Sequence, residues 1–399
     1  PGVNKELNIT KILNERNVTG VVNRSIQEID ELVESAPDCD LPARMLNLYN
    51  AEILKYNFYN THGKVLHLNE ADNTFIHLNS ANLKLSLYYF IEMVSNSINI
   101  KIQQRMYKQN TSKKYCIIDI DKLPEYDCMF PGTPFEYAYN IYRALLVLFY
   151  SETSKEHFLK YKLSVQKASD KLSNSELLQH YKLMISFCIQ NKSDIPELTD
   201  ELWRLYQLVL DKELFLDGNS QYIDTYLFRS IIILGLRLGY YSEVKAILKK
   251  FSIYVHPNDS MNLENLGYAY YYYYTGNYDK ALGHTSKVEL NDFTFKYDLK
   301  NLLVRIYFET AAFEQLSSIT KCYREFLRND KLQNPDIKDS FRHFLNYTEL
   351  LTKHMNDEDK TEIMYTYSRL QKSKKVYAKE WLIRMYQNVI AGQKSEAYA

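Results

Sequence analysis

The chain has 399 residues, enough for two or three ordinary domains or for one continuous helical array. With 11 Gly and 9 Pro it is poor in helix breakers. Its 49 Lys plus Arg balance 49 Asp plus Glu, so no global basic field exists to neutralise the phosphates of a nucleic acid.

In chain order, residues 4–60 read as helices over 20–35 and 41–60, broken by Ala36-Pro37-Asp38. Leu46, Ile53 and Leu54 recur at helical spacing in the second. Residues 62–80 fit a helix or a loop. A long helix is expected over 82–108, carried by Leu83, Leu87, Phe90, Ile91 and Val94. The segment 111–132 holds Pro124, Pro131 and Gly132 and reads as non-helical, with Cys116-Ile117-Ile118-Asp119-Ile120 as a short extended piece. Thr133-Pro134-Phe135-Glu136 then has the residues of a helix start: a capping Thr, Pro in the first turn and Glu three after the cap. Ser173-Asn174-Ser175-Glu176 forms a second capping box. Pro196, Gly218, Pro257 and Pro335 fall where helices begin or end. No segment alternates with the period of two that a sheet requires. The expected organisation is therefore all-α: a helical region over 1–110, an irregular linker or insertion over 111–132, a repeat array over 133–374, and a capping helix and tail over 375–399.

The array rests on self-similarity. Gly239-Tyr240-Tyr241-Ser242-Glu243-Val244 is followed by Gly276-Asn277-Tyr278-Asp279-Lys280-Ala281 and by Ala311-Ala312-Phe313-Glu314-Gln315-Leu316, spaced 37 and 35 residues apart. Each has a small residue, an aromatic two later and an aliphatic three after that. Fixed spacing of this length marks a helix-turn-helix solenoid, in which each unit buries its apolar face against its neighbours. The unit on Gly276, with Ala269, Tyr272, Tyr278 and Ala281, resembles a tetratricopeptide repeat. Ile232, Gly235, Tyr241 and Val244, and then Val304, Tyr307, Phe313 and Leu316, carry the resemblance into the flanking units. The large aromatic of the first helix is matched by Phe228 alone; Asn265 and Lys300 stand in the other two units. Residues 170–356 are also similar to uncharacterised helical-repeat proteins of Bacteroidota, through Leu202-Trp203-Arg204-Leu205-Tyr206, Asn262 to Tyr270, Arg305-Ile306-Tyr307-Phe308-Glu309 and, later, Lys379-Glu380-Trp381-Leu382. That resemblance implies a bacterial cytoplasmic setting and carries no biochemical activity.

The tetratricopeptide resemblance implies at least three degenerate pairs of antiparallel helices in the C-terminal half. It also implies a concave groove lined by first helices that takes a peptide or protein segment. The groove residues are then Tyr226, Arg229 and Arg237, then Tyr270, Tyr273 and Tyr274, then Asn301, Arg305 and Glu309. Tyr and Arg are residue types that carry interface energy, and this set suits an acidic or aromatic peptide. The family's clamp for a C-terminal carboxylate is not reproduced: Ile233, Gly267 and Asp298 stand at its positions.

Tyr is unusually abundant, at 36 against 18 Phe and 2 Trp. A thin array has much half-buried surface, which suits a ring with a polar tip. The basic stretch 369–384 carries six Lys/Arg against Glu380 alone, interleaved with Tyr377 and Trp381. It fits a surface that touches RNA or an acidic partner, or a cap in which Trp381, Leu382 and Met385 close the core, and the cap is the expectation. The stretch 101–122 also carries six Lys/Arg, against two Asp.

His62, His67, Glu70 and His77 lie close in sequence but lack metal-ligand spacing, and no cofactor or metal is expected. Cys116, Cys128 and His157 are the only residues that suggest a nucleophile pair. Phosphate-binding glycine loops and hydrolase elbows are absent, so no catalytic activity is expected. Five scattered cysteines without a CxxC argue against a disulfide framework and fit a reducing cytoplasm. No signal-peptide core follows Pro1, and the longest apolar runs, 144–150 and 231–238, are too short to span a membrane. The expected function is a non-catalytic protein-interaction scaffold. The alternatives are an RNA-binding repeat face, or a sensor or enzyme with its site near 62–132.

Overall fold

A computed structural model of the chain describes residues 2–15, 21–22, 24–25, 28, 40–62, 70–107, 127, 129–216, 221–289, 293–331, 333–355 and 360–392. The described residues are helical with turns between, and hold no strand; one isolated bridge joins Ile223 to Val255. Two compact units divide the chain, Pro1–Gln221 and Tyr222–Ala399.

The first unit contains α1 (Gly2–Glu15), α2 (Leu41–His62), α3 (Glu70–Tyr107), α4 (Glu136–Tyr150), α5 (Lys155–Lys167), α6 (Asn174–Asn191) and α7 (Leu198–Asp211). The α2–α3 pair is its most extensive contact, and α1 packs on α2. Glu52 of α2 is buried in that pair, and Lys84 and His77 of α3 reach it at 2.5 and 2.6 Å. The helix expected over 82–108 starts a dozen residues earlier, at Glu70, and His77 in the added part bonds to Glu52 of α2. The helix expected over 20–35, the extended piece at 116–120 and Gly218 lie wholly or largely outside the described residues.

The capping box at Ser173 forms in full: Ser173 N–H donates to Glu176 at 2.7 Å, and Glu176 N–H donates to the Ser173 hydroxyl at 3.2 Å. The start at Thr133 differs from expectation. Helix α4 begins at Glu136, and the Thr133 hydroxyl donates backwards to the Phe130 carbonyl at 2.7 Å. Glu136 instead accepts from Gly132 N–H at 2.9 Å. Helices α4–α7, expected in one block with the C-terminal helices, belong to the first unit. Helix α4 packs on α3, with the Tyr150 hydroxyl donating to the Ser97 carbonyl at 2.9 Å and Tyr139 against Phe90.

The second unit contains α8 (Thr225–Arg237), α9 (Tyr241–Phe251), α10 (Pro257–Tyr274), α11 (Tyr278–Thr285), α12 (Phe293–Glu309), α13 (Phe313–Asn329), α14 (Pro335–His354), α15 (Thr361–Lys372) and α16 (Lys379–Ile390). Pro257 and Pro335 sit in the first turns of α10 and α14, where the missing N–H costs nothing. Successive helices pair as α8 with α9, α10 with α11, α12 with α13 and α14 with α15. Alternate helices also touch: α8 with α10, α10 with α12, and α14 with α16.

Three of the connecting turns are alike. Gly239, Gly276 and Ala311 take φ of +84°, +75° and +54°. In each, the next residue's N–H reaches back five positions: Tyr240 to Gly235, Asn277 to Tyr272 and Ala312 to Tyr307, at 2.9, 2.8 and 2.9 Å. This is the glycine-type helix stop that satisfies orphan carbonyls. Five residues after each turn residue, Val244, Ala281 and Leu316 are buried. A close approach occurs at Gly267 of α10, where an added Cβ would lie 2.5 Å from Leu248 of α9. The core beyond holds Phe308, Phe341 and Phe344 together with Trp381, Leu382 and Met385 of α16.

Candidate cationic and aromatic site

In the second unit, the ends of α8 and α10, the body of α12 and the start of α16 surround a cavity of about 460 Å³. Arg237 closes α8, and Tyr273 and Tyr274 close α10. Arg305 lies one turn before the end of α12, on the face that α10 covers. The segment 376–379 and Glu380, Trp381 and Arg384 of α16 complete the wall.

That wall is held in place. Tyr377 N–H donates to the Ser340 carbonyl of α14 at 3.1 Å, and His343 Nδ1 lies 2.8 Å from the Lys375 carbonyl. Ala378 takes φ +49° to turn the chain into α16. Lys379 Nζ donates to the carbonyls of Gln371 and Ser373, both at 2.8 Å. Trp381 packs on Phe308 and Phe344 and donates its indole N–H to Glu309 at 2.5 Å. Glu309 also accepts from the hydroxyls of Tyr273 and, at 2.9 Å, Tyr278. Burial raises the Tyr273 and Tyr278 phenols above their ordinary range, so both remain O–H donors.

Arg305 is the electrostatic centre. Only 3% of it is exposed, and its guanidinium lies 4.9 Å from the Tyr273 ring centre and 5.7 Å from that of Tyr270. Its Nε–H donates to the Asn301 carbonyl at 3.3 Å. No carboxylate of the described residues pairs with it. Arg237 is near enough for the two charges to repel, and its side chain hydrogen-bonds to Tyr274. Among the lining residues, Arg237, Arg305, Lys379 and Arg384 face Glu380 as the one acid. None of them is a Ser, Thr, Cys, His or Asp. Cationic forks beside aromatic rings are chemistry that can hold an anion.

The nine residues expected from the sequence fall into three groups. Arg237, Tyr273, Tyr274 and Arg305 line the cavity. Tyr226 is 46% exposed and stands apart from it. The remaining four are structural. Arg229 forms a bidentate pair with the buried Asp298. The Tyr270 hydroxyl donates to the Asp298 carbonyl at 3.2 Å. Asn301 is buried and accepts from the Tyr323 hydroxyl at 3.0 Å. Glu309 serves Trp381 and the two tyrosines. The open floor expected across nine residues is therefore closed over part of its length by the chain's own C-terminal segment. Tyr377, Lys379, Glu380, Trp381 and Arg384 were missing from the expected site, although cations interleaved with aromatics over 369–384 were the signal for them.

A larger cleft of about 630 Å³ lies between α4 and α5 in the first unit. Its cations are mostly engaged: Arg143 with Asp127, Lys160 with Glu156 at 2.7 Å, and Lys171 over the Tyr137 ring. Of the metal candidates, His62, His67 and Glu70 have side chains outside the described residues, and His77 stacks on Tyr59 beside Glu52. Cys116 and Cys128 also lie outside the described residues, and His157 Nδ1 lies 3.1 Å from the Glu152 carbonyl. Among the described residues, no group of three or more His, Cys, Asp or Glu could hold a metal, and no helix is long and apolar enough to cross a membrane. No family model, no curated protein and no solved structure matches the chain.

Proposed function

We propose that the chain is a non-catalytic interaction scaffold that binds an acidic segment of a protein partner in the cytoplasm. On this reading α8–α15 are four tetratricopeptide-like pairs of antiparallel helices forming a solenoid, and α16 caps it. The like turns at Gly239, Gly276 and Ala311 support that reading, as do the buried residues five positions later and the contacts between alternate helices. The observation that carries the function is the convergence of Arg237, Arg305 and Arg384 on one aromatic cavity without paired acids. Arg with Tyr or Trp is the chemistry of an interface anchor.

Fluorescence anisotropy with matched acidic, neutral and basic peptides tests the reading. The acidic set should bind best, and Arg237→Glu combined with Arg384→Glu should abolish its binding while the melt is kept. Equal binding of all three sets, or undiminished binding by the double variant, would refute it.

A further inference from the structure

We infer that the group this cavity accepts is a phosphoryl dianion, presented on a phosphorylated side chain of the partner. The inference rests on the scaffold reading for its source and on the cavity alone for its chemistry.

The first argument is charge. Four cationic side chains line the cavity against Glu380. Of two acids behind the wall, Asp298 is neutralised by Arg229, whereas Glu309 accepts only from the neutral donors Tyr273, Tyr278 and Trp381 and offsets a second cation. A carboxylate carries one charge and would leave the remaining two cations half compensated. A phosphoryl group carries nearly two at neutral pH, with three strong acceptor oxygens.

The second argument is donor geometry. Each guanidinium presents a planar fork of N–H groups, and phosphate oxygens accept such forks in pairs. Arg305 directs its Nε–H to the Asn301 carbonyl, pairs with no carboxylate of the described residues, and lines the cavity. A buried guanidinium without a carboxylate is unusual, because burying a charge is costly unless it is paired. The rings of Tyr270 and Tyr273 offset part of that cost, and an anion in the cavity would offset more.

The third argument is shape. Tyr273, Tyr274, Tyr377 and Trp381 give the walls aromatic surface, so a ring bearing the phosphoryl group gains contact that inorganic phosphate lacks.

Trp381 lines the cavity, and Trp203 is the only other tryptophan, so Trp203→Phe leaves one reporter at the site. In that background, inorganic phosphate, phenyl phosphate and phenylacetate are titrated at constant ionic strength. Phenyl phosphate should bind more tightly than phosphate, and at least about tenfold more tightly than phenylacetate, the difference one strong charge-assisted bond makes. Its affinity should fall as pH drops through about 6, where phosphoryl groups lose their second charge. Arg237→Gln and Arg384→Gln should each weaken it about tenfold with the melt unchanged. Equal affinity for phenylacetate, or indifference to both substitutions, would overturn the inference.

A phosphotyrosine peptide and its unphosphorylated twin then identify the source. Tighter binding of the phosphopeptide supports the proposal. Equal binding of the twins overturns the phosphoryl inference and leaves the scaffold reading standing. Phenyl phosphate binding with neither peptide bound does the reverse: it places a small phosphate ester in the cavity and removes the scaffold reading.

Discussion

Replacing Glu309 with Ala tests how the cavity wall is built. Its two oxygens accept from the Tyr273 hydroxyl, the Tyr278 hydroxyl at 2.9 Å and the Trp381 indole at 2.5 Å. Glu309 thereby ties α16 to α10 and α11 through the end of α12. A hydrogen bond to a charged group contributes about 1.5–3 kcal/mol, and a stranded buried donor costs a similar amount. The three donors share one acceptor, so their energies do not simply add. Hydroxyls can also turn toward the cavity, whereas the indole N–H cannot. Together these give about 3–5 kcal/mol for Glu309→Ala. Glu309→Gln retains one oxygen and should cost about 1–2 kcal/mol, the loss of charge assistance. Urea unfolding followed by Trp381 emission, in the Trp203→Phe background, reads the second unit alone. The Ala variant's midpoint should fall by roughly 1–2 M. A midpoint within about 0.3 M of the parent's would refute the shared-acceptor account, since that shift corresponds to well under one such bond.

Ala281 is buried where α11 meets its neighbours, so Ala281→Trp should destabilise the second unit by about 1–3 kcal/mol or more, read by the same unfolding curve. Ala311 holds φ +54°, a conformation that strains any residue with a Cβ; Ala311→Gly should therefore gain about 0.5–1 kcal/mol, and a loss would show that the turn is not limited by its backbone. In the first unit, burial lowers His180 to about 4, and its Nδ1 shares a hydrogen bond with the Tyr161 hydroxyl at 2.8 Å. An unfolded histidine protonates near 6.5, so the neutral buried form favours folding above that pH. That stability is lost as pH falls from about 6.5 to 4, by about 3 kcal/mol in all. His180→Gln offers Tyr161 both a donor and an acceptor and should flatten this window; an unchanged pH profile would refute the assignment.

The all-helical character and the spacing of the turns were legible in the sequence because they are local. Gly239 and Gly276 adopt positive φ for reasons internal to a few residues, and the same recurrence marked Ala311 as their equivalent. The capping box at Ser173 was equally local and formed as written. The Thr133 start misled because its hydroxyl had a nearer acceptor in the Phe130 carbonyl, which residue types alone do not reveal.

The tetratricopeptide resemblance pointed to one face of α8, α10 and α12, and Arg237, Tyr273, Tyr274 and Arg305 of that face line the cavity. What covers the face was not legible. Trp381 lies 72 residues from Glu309 in sequence and bonds to it in space. Arg229 and Asp298, 69 residues apart, cancel each other. No short-range pattern encodes such partnerships; tertiary packing makes them. That packing turned four of nine expected groove residues into internal structure and left Arg305 as the buried charge without an acid. It also drew Arg384, which lies in the basic, aromatic-interleaved stretch 369–384, to the same cavity.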